Sequence, residues 1–267
     1  MAAREPQGPR FAGLGLWLLP PGPQDDGTGL VDGASTAWLS APPATTSLWV
    51  SESVPLGGAG VPYEAYSLLG ALAVRTDGPL LGVVAFGVER RAPSILAKIV
   101  TGVDVLSHGR AVLSLDADCG DGADAERLSE ALTVTRSVLE DEVPTFAGRI
   151  YSVDGAVNRP APVQPGGVPI VVFLHGDGPD RGVLLTEAVR TADAVVVTEG
   201  PDAAADAVDE VGRRDRAVEV LGLVGPDEPS GHRAAVGALR SAGATGCLVG
   251  IPWPWEPDAV GALADLW

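Results

Sequence analysis

The stretch His175-Gly176-Asp177-Gly178-Pro179-Asp180-Arg181-Gly182 combines glycines, a guanidinium and the start of a helical pattern. Glycines let a backbone approach an anion closely, a helix N-terminus presents its positive end, and Arg181 can pair with a phosphate. Asp177 and Asp180 oppose an anion and suit helix capping, so a capped turn without ligand is the competing account. His175 is the one imidazole placed to carry protons at that loop. Ser51-Glu52-Ser53-Val54 closes another apolar run. There Glu52 is a candidate general base, with a structural salt bridge as the ordinary alternative. Residues 116–124 hold Asp116, Asp118, Asp121 and Asp124. A calcium loop would need ligands where Gly120 and Arg127 stand, which leaves a solvated acidic loop ending in a helix cap at Asp124. His108, His175 and His232 are too scattered to form a metal set. No nucleophile-elbow motif supports serine catalysis, and no strand end carries a lysine for Schiff-base chemistry.

Holding these residues in place requires strands, and short, continuously apolar runs supply eight of them. They are Gly13–Leu19, Ser47–Ser51, Leu80–Phe86, Ala111–Leu115, Ile170–Leu174, Ala194–Thr198, Ala217–Leu221 and Gly246–Gly250. Continuous rather than alternating apolarity is how strands covered on both faces read. Segments of helical period lie between them: Asp32–Leu39, Tyr63–Arg75, Pro93–Leu106, Asp124–Leu139, Val183–Thr191, Asp202–Arg213, Gly231–Ser241 and Pro257–Trp267. Eight strand–helix units in 267 residues predict a single-domain α/β fold, a (β/α)8 barrel over 13–267 behind a tail of 1–12. A doubly wound open sheet is the runner-up. Val143–Gly167, rich in proline and glycine, reads as one long irregular excursion.

Composition narrows the function further. A formal charge of −17, nearly all of it beyond residue 110, repels phosphate backbones and anionic lipid. Neither nucleic acid nor a membrane is therefore an expected partner. Hydrophobic residues at 46% allow a sizeable core. Cys119 and Cys247 form neither metal nor redox spacing, so a reducing cytoplasm is the expected location. Arg4 and Arg10 precede the apolar Phe11–Leu19, but Pro20-Pro21-Gly22-Pro23 follows it. That stretch reads as a buried first strand rather than a secretion signal.

Several segments, in order, carry a resemblance. They are Gly15-Leu16-Trp17-Leu18, Leu48-Trp49-Val50-Ser51-Glu52, Ala92-Pro93-Ser94-Ile95-Leu96-Ala97-Lys98 and Asp104-Val105-Leu106-Ser107-His108-Gly109-Arg110. Phe146-x-Gly148-Arg149-x-Tyr151, Arg159-Pro160-x-Pro162-Val163-Gln164-Pro165 and Pro169-Ile170 continue the series. From about residue 13 to 255 the chain resembles the luciferase-like monooxygenase superfamily.

That resemblance implies a barrel using flavin mononucleotide (FMN) or the 8-hydroxy-5-deazaflavin coenzyme on a small organic substrate, by hydride or monooxygenase chemistry. The implied cofactor site is Ser51, Ala85, Phe86, Gly176, Asp177, Gly178 and Arg181, with Glu52 and His175 as candidate catalytic groups. Ala85-Phe86-Gly87 suits a ring packed on backbone, and Arg90 and Arg91 are candidates for an anionic tail, or are simply solvated. Relatives often form homodimers. The chain departs from the pattern at Ser53, where many relatives carry histidine, and in the acidic 116–124 segment, which replaces a glycine-rich run. A barrel that has lost its cofactor and acts as a binding or partner subunit is thus the second reading. An unrelated phosphate-handling lyase or isomerase is the third.

Overall fold

The computed structural model describes residues 10–21, 27–51, 63–84, 91–119, 123–214, 216–226 and 229–267. In chain order its first half runs β1 (Gly13–Leu18), α1 (Leu30–Leu39), β2 (Thr45–Ser51), α2 (Ala65–Arg75), β3 (Leu80–Val84), α3 (Pro93–Leu106), β4 (Leu113–Asp118) and α4 (Ala123–Glu140). A hairpin of β5 (Thr145–Ala147) and β6 (Ser152–Asp154) follows. The second half is β7 (Ile170–His175), α5 (Arg181–Thr191), β8 (Ala194–Val197), α6 (Pro201–Gly212), β9 (Glu219–Val224), α7 (Pro229–Ser241), β10 (Gly246–Ile251) and α8 (Pro257–Gly261).

Eight strands pair in parallel in the order β3-β2-β1-β10-β9-β8-β7-β4. The two ends of that order meet through a bridge between Leu81 and Ala111. There the Leu81 amide donates to Arg110 O and the Val112 amide to Leu81 O, each at 2.8 Å. The sheet is therefore a closed (β/α)8 barrel, and the open-sheet alternative is set aside.

Alternation decides what fills it. Leu14, Leu16 and Leu18 of β1 point out to the helix layer, as do Leu48 and Val50 of β2. Trp17, Trp49, Val84, Val112, Phe173, Leu221 and Leu248 point in, and Phe11 joins them. Two indoles fit inside because glycines face them. A Cβ on Gly82 would stand 2.4 Å from two Trp49 ring carbons, and one on Gly250 3.1 Å from Trp17 Cε3. Trp49 donates through Nε1 to Ser47 Oγ at 2.8 Å, and Trp17 to Ser51 Oγ at 2.7 Å, so neither buried N–H is orphaned. Residues 10 and 11, assigned to the tail, instead belong to the barrel floor. Their amides donate to the Glu219 carboxylate at 2.6 and 2.9 Å. Burial still pushes that carboxyl above the usual carboxylate range.

Some expected boundaries move. β4 runs through Asp116 and Asp118, which were expected in a loop, because both pair in register with β7, opposite Phe173 and His175. β9 starts at Glu219 rather than Ala217, since its pairing with β8 begins there. The last helix is short, ending at Gly261. The irregular excursion contains the β5–β6 hairpin, held to α4 by one carboxylate. Glu130 accepts the amides of Arg149, Ile150 and Tyr151 at 2.7, 2.9 and 2.8 Å. A Cβ on Gly148 would strike that carboxylate.

These amides, Tyr151's first, hold the Glu130 carboxyl below the usual carboxylate range. The resulting stabilisation is present above the ordinary glutamate pKa and is lost as pH falls through the depressed one. Glu130→Gln turns one acceptor into a donor facing donors. Hydrogen exchange at residues 149–151 is expected to accelerate in the variant, and in the native chain on acidification, with global melting little changed. Unchanged exchange in Glu130→Gln would show that the carboxylate does not hold the hairpin.

Candidate functional site

The C-terminal ends of the strands form the mouth of the barrel, where this architecture places its chemistry. Ser51 ends β2, Asp118 ends β4, His175 ends β7, and Thr198-Glu199 follow β8. Asp118 and His175 stand opposite each other in register. Below them lies an aromatic floor. The His175 ring stacks on Phe173 with centroids 6.3 Å apart and planes 11° from parallel, and Phe173 meets Trp49 edge-on at 5.7 Å. Ser51 is buried, its hydroxyl oxygen already accepting from Trp17. Asp116 is only 5% exposed and lies inside the barrel at the level of Phe173. Ser114, one inward position lower, has a buried hydroxyl without a hydrogen bond.

Ser51 and His175 are thus brought to one mouth. Glu52, Ala85 and Phe86 lie outside the described residues. The 176–181 loop is arranged differently from an open anion cradle. Gly176, at φ +81°, donates its amide to Glu199 Oε1. The Thr198 hydroxyl donates to the same oxygen. Arg181 pairs with Glu199 Oε2 at 3.0 Å and spends its other amino group on Ala203 O at 3.1 Å. Gly178 gives its carbonyl to the Arg181 amide. Asp177 is exposed, and Asp180 precedes α5 without a side-chain cap bond, contrary to the capping expected of it. Arg181 and the Gly176 amide, predicted to meet a phosphate, therefore meet a carboxylate of the chain itself. Glu199 was not singled out in the sequence: its only signal is a glutamate between a valine-rich strand and Gly200-Pro201.

Other candidates resolve into structure. Arg91 pairs with Glu64 at 2.9 Å and lies 5.2 Å over the Tyr66 ring. His108, at φ +56°, turns at the opposite face. His232 is buried, with Nε2 3.0 Å from Gly225 O and Nδ1 unpartnered. Trp255 is buried and donates to Leu19 O at 2.8 Å, which makes it packing. Burial pushes the Cys119 thiol up to about 11 and Cys247 up to about 12, so both are poor nucleophiles. Among the described residues no group of His, Cys, Asp and Glu could hold a metal ion, and no helix is long and apolar enough to cross a membrane.

The family model described as luciferase-like monooxygenase matches residues 45–221. The 5,10-methylenetetrahydromethanopterin reductase of Archaeoglobus fulgidus is 27% identical over 145 residues, 50% of this chain and 41% of that protein. An F420-dependent glucose-6-phosphate dehydrogenase of Microbacterium testaceum is 27% identical over 152 residues, 52% of this chain and 43% of that protein. The aligned stretches thus span less than half of these curated relatives. Among solved structures, an F420-dependent secondary alcohol dehydrogenase bound to an F420–acetone adduct superposes with TM-score 0.76 at 14% identity, covering 96% of this chain and 98% of that one. The coenzyme F420-dependent tetrahydromethanopterin reductase of Methanopyrus kandleri gives 0.73 at 16%, with 96% and 98% covered. An FMN-bound type II Baeyer–Villiger monooxygenase component from Pseudomonas putida gives 0.69 at 13%, with 96% and 97% covered. At these identities the structures bear on the fold.

Proposed function

We propose a function from one premise: the chain belongs to the luciferase-like monooxygenase family. On that premise it is an oxidoreductase that acts on a small organic molecule at the barrel mouth, with the deazaflavin F420 or FMN as redox partner. The family match over 45–221 carries this reading. The names of the relatives and structural neighbours support it, since they are reductases, dehydrogenases and a monooxygenase component. They do not favour a barrel without redox chemistry.

The residues fit part of such a cofactor. A planar ring suits the mouth, where the half-buried His175 ring offers an aromatic face above the buried Phe173 and Trp49. A phosphate does not suit the 176–181 loop, whose Gly176 amide and Arg181 are bound to Glu199. What the chain itself supplies is therefore local. The aromatic floor excludes water from beneath the mouth, and Ser51 keeps a hydroxyl proton to donate while accepting from Trp17. His175 is the group that would give or take a proton at its imidazole, with Asp118 across the register beside it.

Titration of the purified chain with F420 and with FMN, followed by visible absorption, tests the proposal. Saturable binding of one of them, with a perturbed ring spectrum that His175→Phe weakens or shifts, is the expected result. A chain that binds neither at high micromolar concentration would leave the barrel as a binding or partner subunit.

A further inference from the structure

We infer that Glu199 is the anion around which the 176–181 loop is built. The loop therefore rejects phosphate, and a flavin or deazaflavin at this mouth is recognised through its ring. The second half of that statement rests on the function proposed above; the exclusion of phosphate does not.

A phosphate bound at a strand–helix connection needs a backbone amide, a hydroxyl and a cation directed at one point. All three are present here: the amide of Gly176, the hydroxyl of Thr198 and the guanidinium of Arg181. All three converge on the Glu199 carboxylate, the first two on Oε1 and the third on Oε2. The donors come from the β7–α5 and β8–α6 connections, neighbours in the barrel, so the carboxylate crosses from one loop to the next. The pair is mostly shielded, with 13% of the Arg181 side chain and 22% of Glu199 exposed. Gly200, at φ +86°, and Pro201 at the start of α6 follow immediately and pin the backbone that carries Glu199.

An incoming phosphate would have to displace this carboxylate and break each of its bonds. It would then share the loop with the carboxyl groups of Glu199, Asp177 and Asp180. Arg181 offers no second approach. One amino group holds Ala203 O, and its outer side lines a hollow of about 250 Å³ shared with Asp206, Asp209, Glu210 and Arg213, where Arg213 is already paired with Glu210 at 2.9 Å.

Two measurements on the full chain test this. In the first, melting temperatures are read in inorganic phosphate and in chloride of equal ionic strength, for the native chain, Glu199→Ala and Glu199→Gln. The native chain should show no phosphate-specific shift, whereas Glu199→Ala should be raised by phosphate. Adding Arg181→Gln to Glu199→Ala should abolish that rise. In the second, riboflavin and FMN, which differ only in the phosphate, are titrated by flavin fluorescence. The native chain should hold the two with affinities within about threefold, and Glu199→Ala should prefer FMN by about tenfold or more.

A native chain that binds FMN about tenfold tighter than riboflavin, or is stabilised by phosphate, overturns the inference without any variant. A folded Glu199→Ala chain indifferent to phosphate also overturns it, as does a Glu199→Gln chain that phosphate raises more than Glu199→Ala. If no form binds either flavin or F420, the proposed function fails while the phosphate melting series still decides the role of Glu199.

Discussion

Replacing Trp49 by alanine is expected to remove about 3–5 kcal/mol of unfolding free energy, a large part of the roughly 5–15 kcal/mol that holds a domain together. Trp49 is fully buried inside the barrel, between Phe11 at 6.2 Å and Phe173 at 5.7 Å. Its removal leaves a cavity that the closed ring of strands cannot collapse to fill, and it strips Ser47 Oγ of its donor. The same packing makes the converse change costly. Gly82→Ala puts a methyl group 2.4 Å from Trp49 ring carbons and should cost about 1–3 kcal/mol by overpacking. The double variant should lose less than the sum of the two, because the new methyl enters vacated space. Guanidinium unfolding followed by far-UV circular dichroism measures all three. A Trp49→Ala loss below about 1 kcal/mol would mean that the aromatic interior is not what holds the cylinder.

This interior was only half legible. Apolar runs located every barrel strand, because strands covered on both faces leave that trace even when their ends shift by two or three residues. The glycine–indole exchange across Gly82, Gly250, Trp17 and Trp49 was not legible. It depends on which strands become neighbours, and that is settled only when the order closes between Leu81 and Ala111. Asp116 and Asp118 misled for a related reason: a carboxylate ends an apolar run in sequence, yet β4 continues through both. The hairpin was missed because three-residue strands leave no period to detect.

The candidate site divides in the same way. His175 and Ser51 reach the mouth because each ends a strand, and strand ends were readable. The state of the 176–181 loop was not, since it turns on a partner 23 residues beyond Gly176 on the next connection. The segments that carried the family resemblance prove to lie mostly away from the mouth. Asp104, Gly109, Arg110 and Gln164 join the N-terminal face of the barrel, where Arg110 closes the end of α2 by donating to Ala73 O and Thr76 O at 2.9 and 2.7 Å. Sequence likeness here records a structural clasp more than a catalytic set.

That clasp leads to the second large effect. Asp104, fully buried on α3, accepts the amides of Val163 and Gln164 at 2.7 and 3.0 Å and the Gln164 side-chain amide at 3.1 Å. Gln164 in turn donates to Ala111 O at 2.9 Å and accepts from Arg10 at 2.8 Å. Gly109, at φ +89°, brings its backbone so close that a Cβ would stand 3.1 Å from Gln164 Cα. Asp104→Ala leaves the two buried Gln164 donors and the Val163 amide without their acceptor and should cost about 3–5 kcal/mol, since bonds to a charged acceptor contribute roughly 1.5–3 kcal/mol each and are not additive. Asp104→Asn separates the polar network from simple packing. Its oxygen can still take both backbone amides, but its NH2 then faces the Gln164 NH2. Rotating Gln164 does not relieve the conflict, because its oxygen would then oppose Ala111 O and its nitrogen would oppose Arg10. Asparagine should therefore cost about 1–3 kcal/mol despite its matching shape. Urea unfolding of both variants, with hydrogen exchange at Val163 and Gln164, measures the effect. An asparagine variant as stable as the native chain would show that the clasp is held by shape and not by its charge.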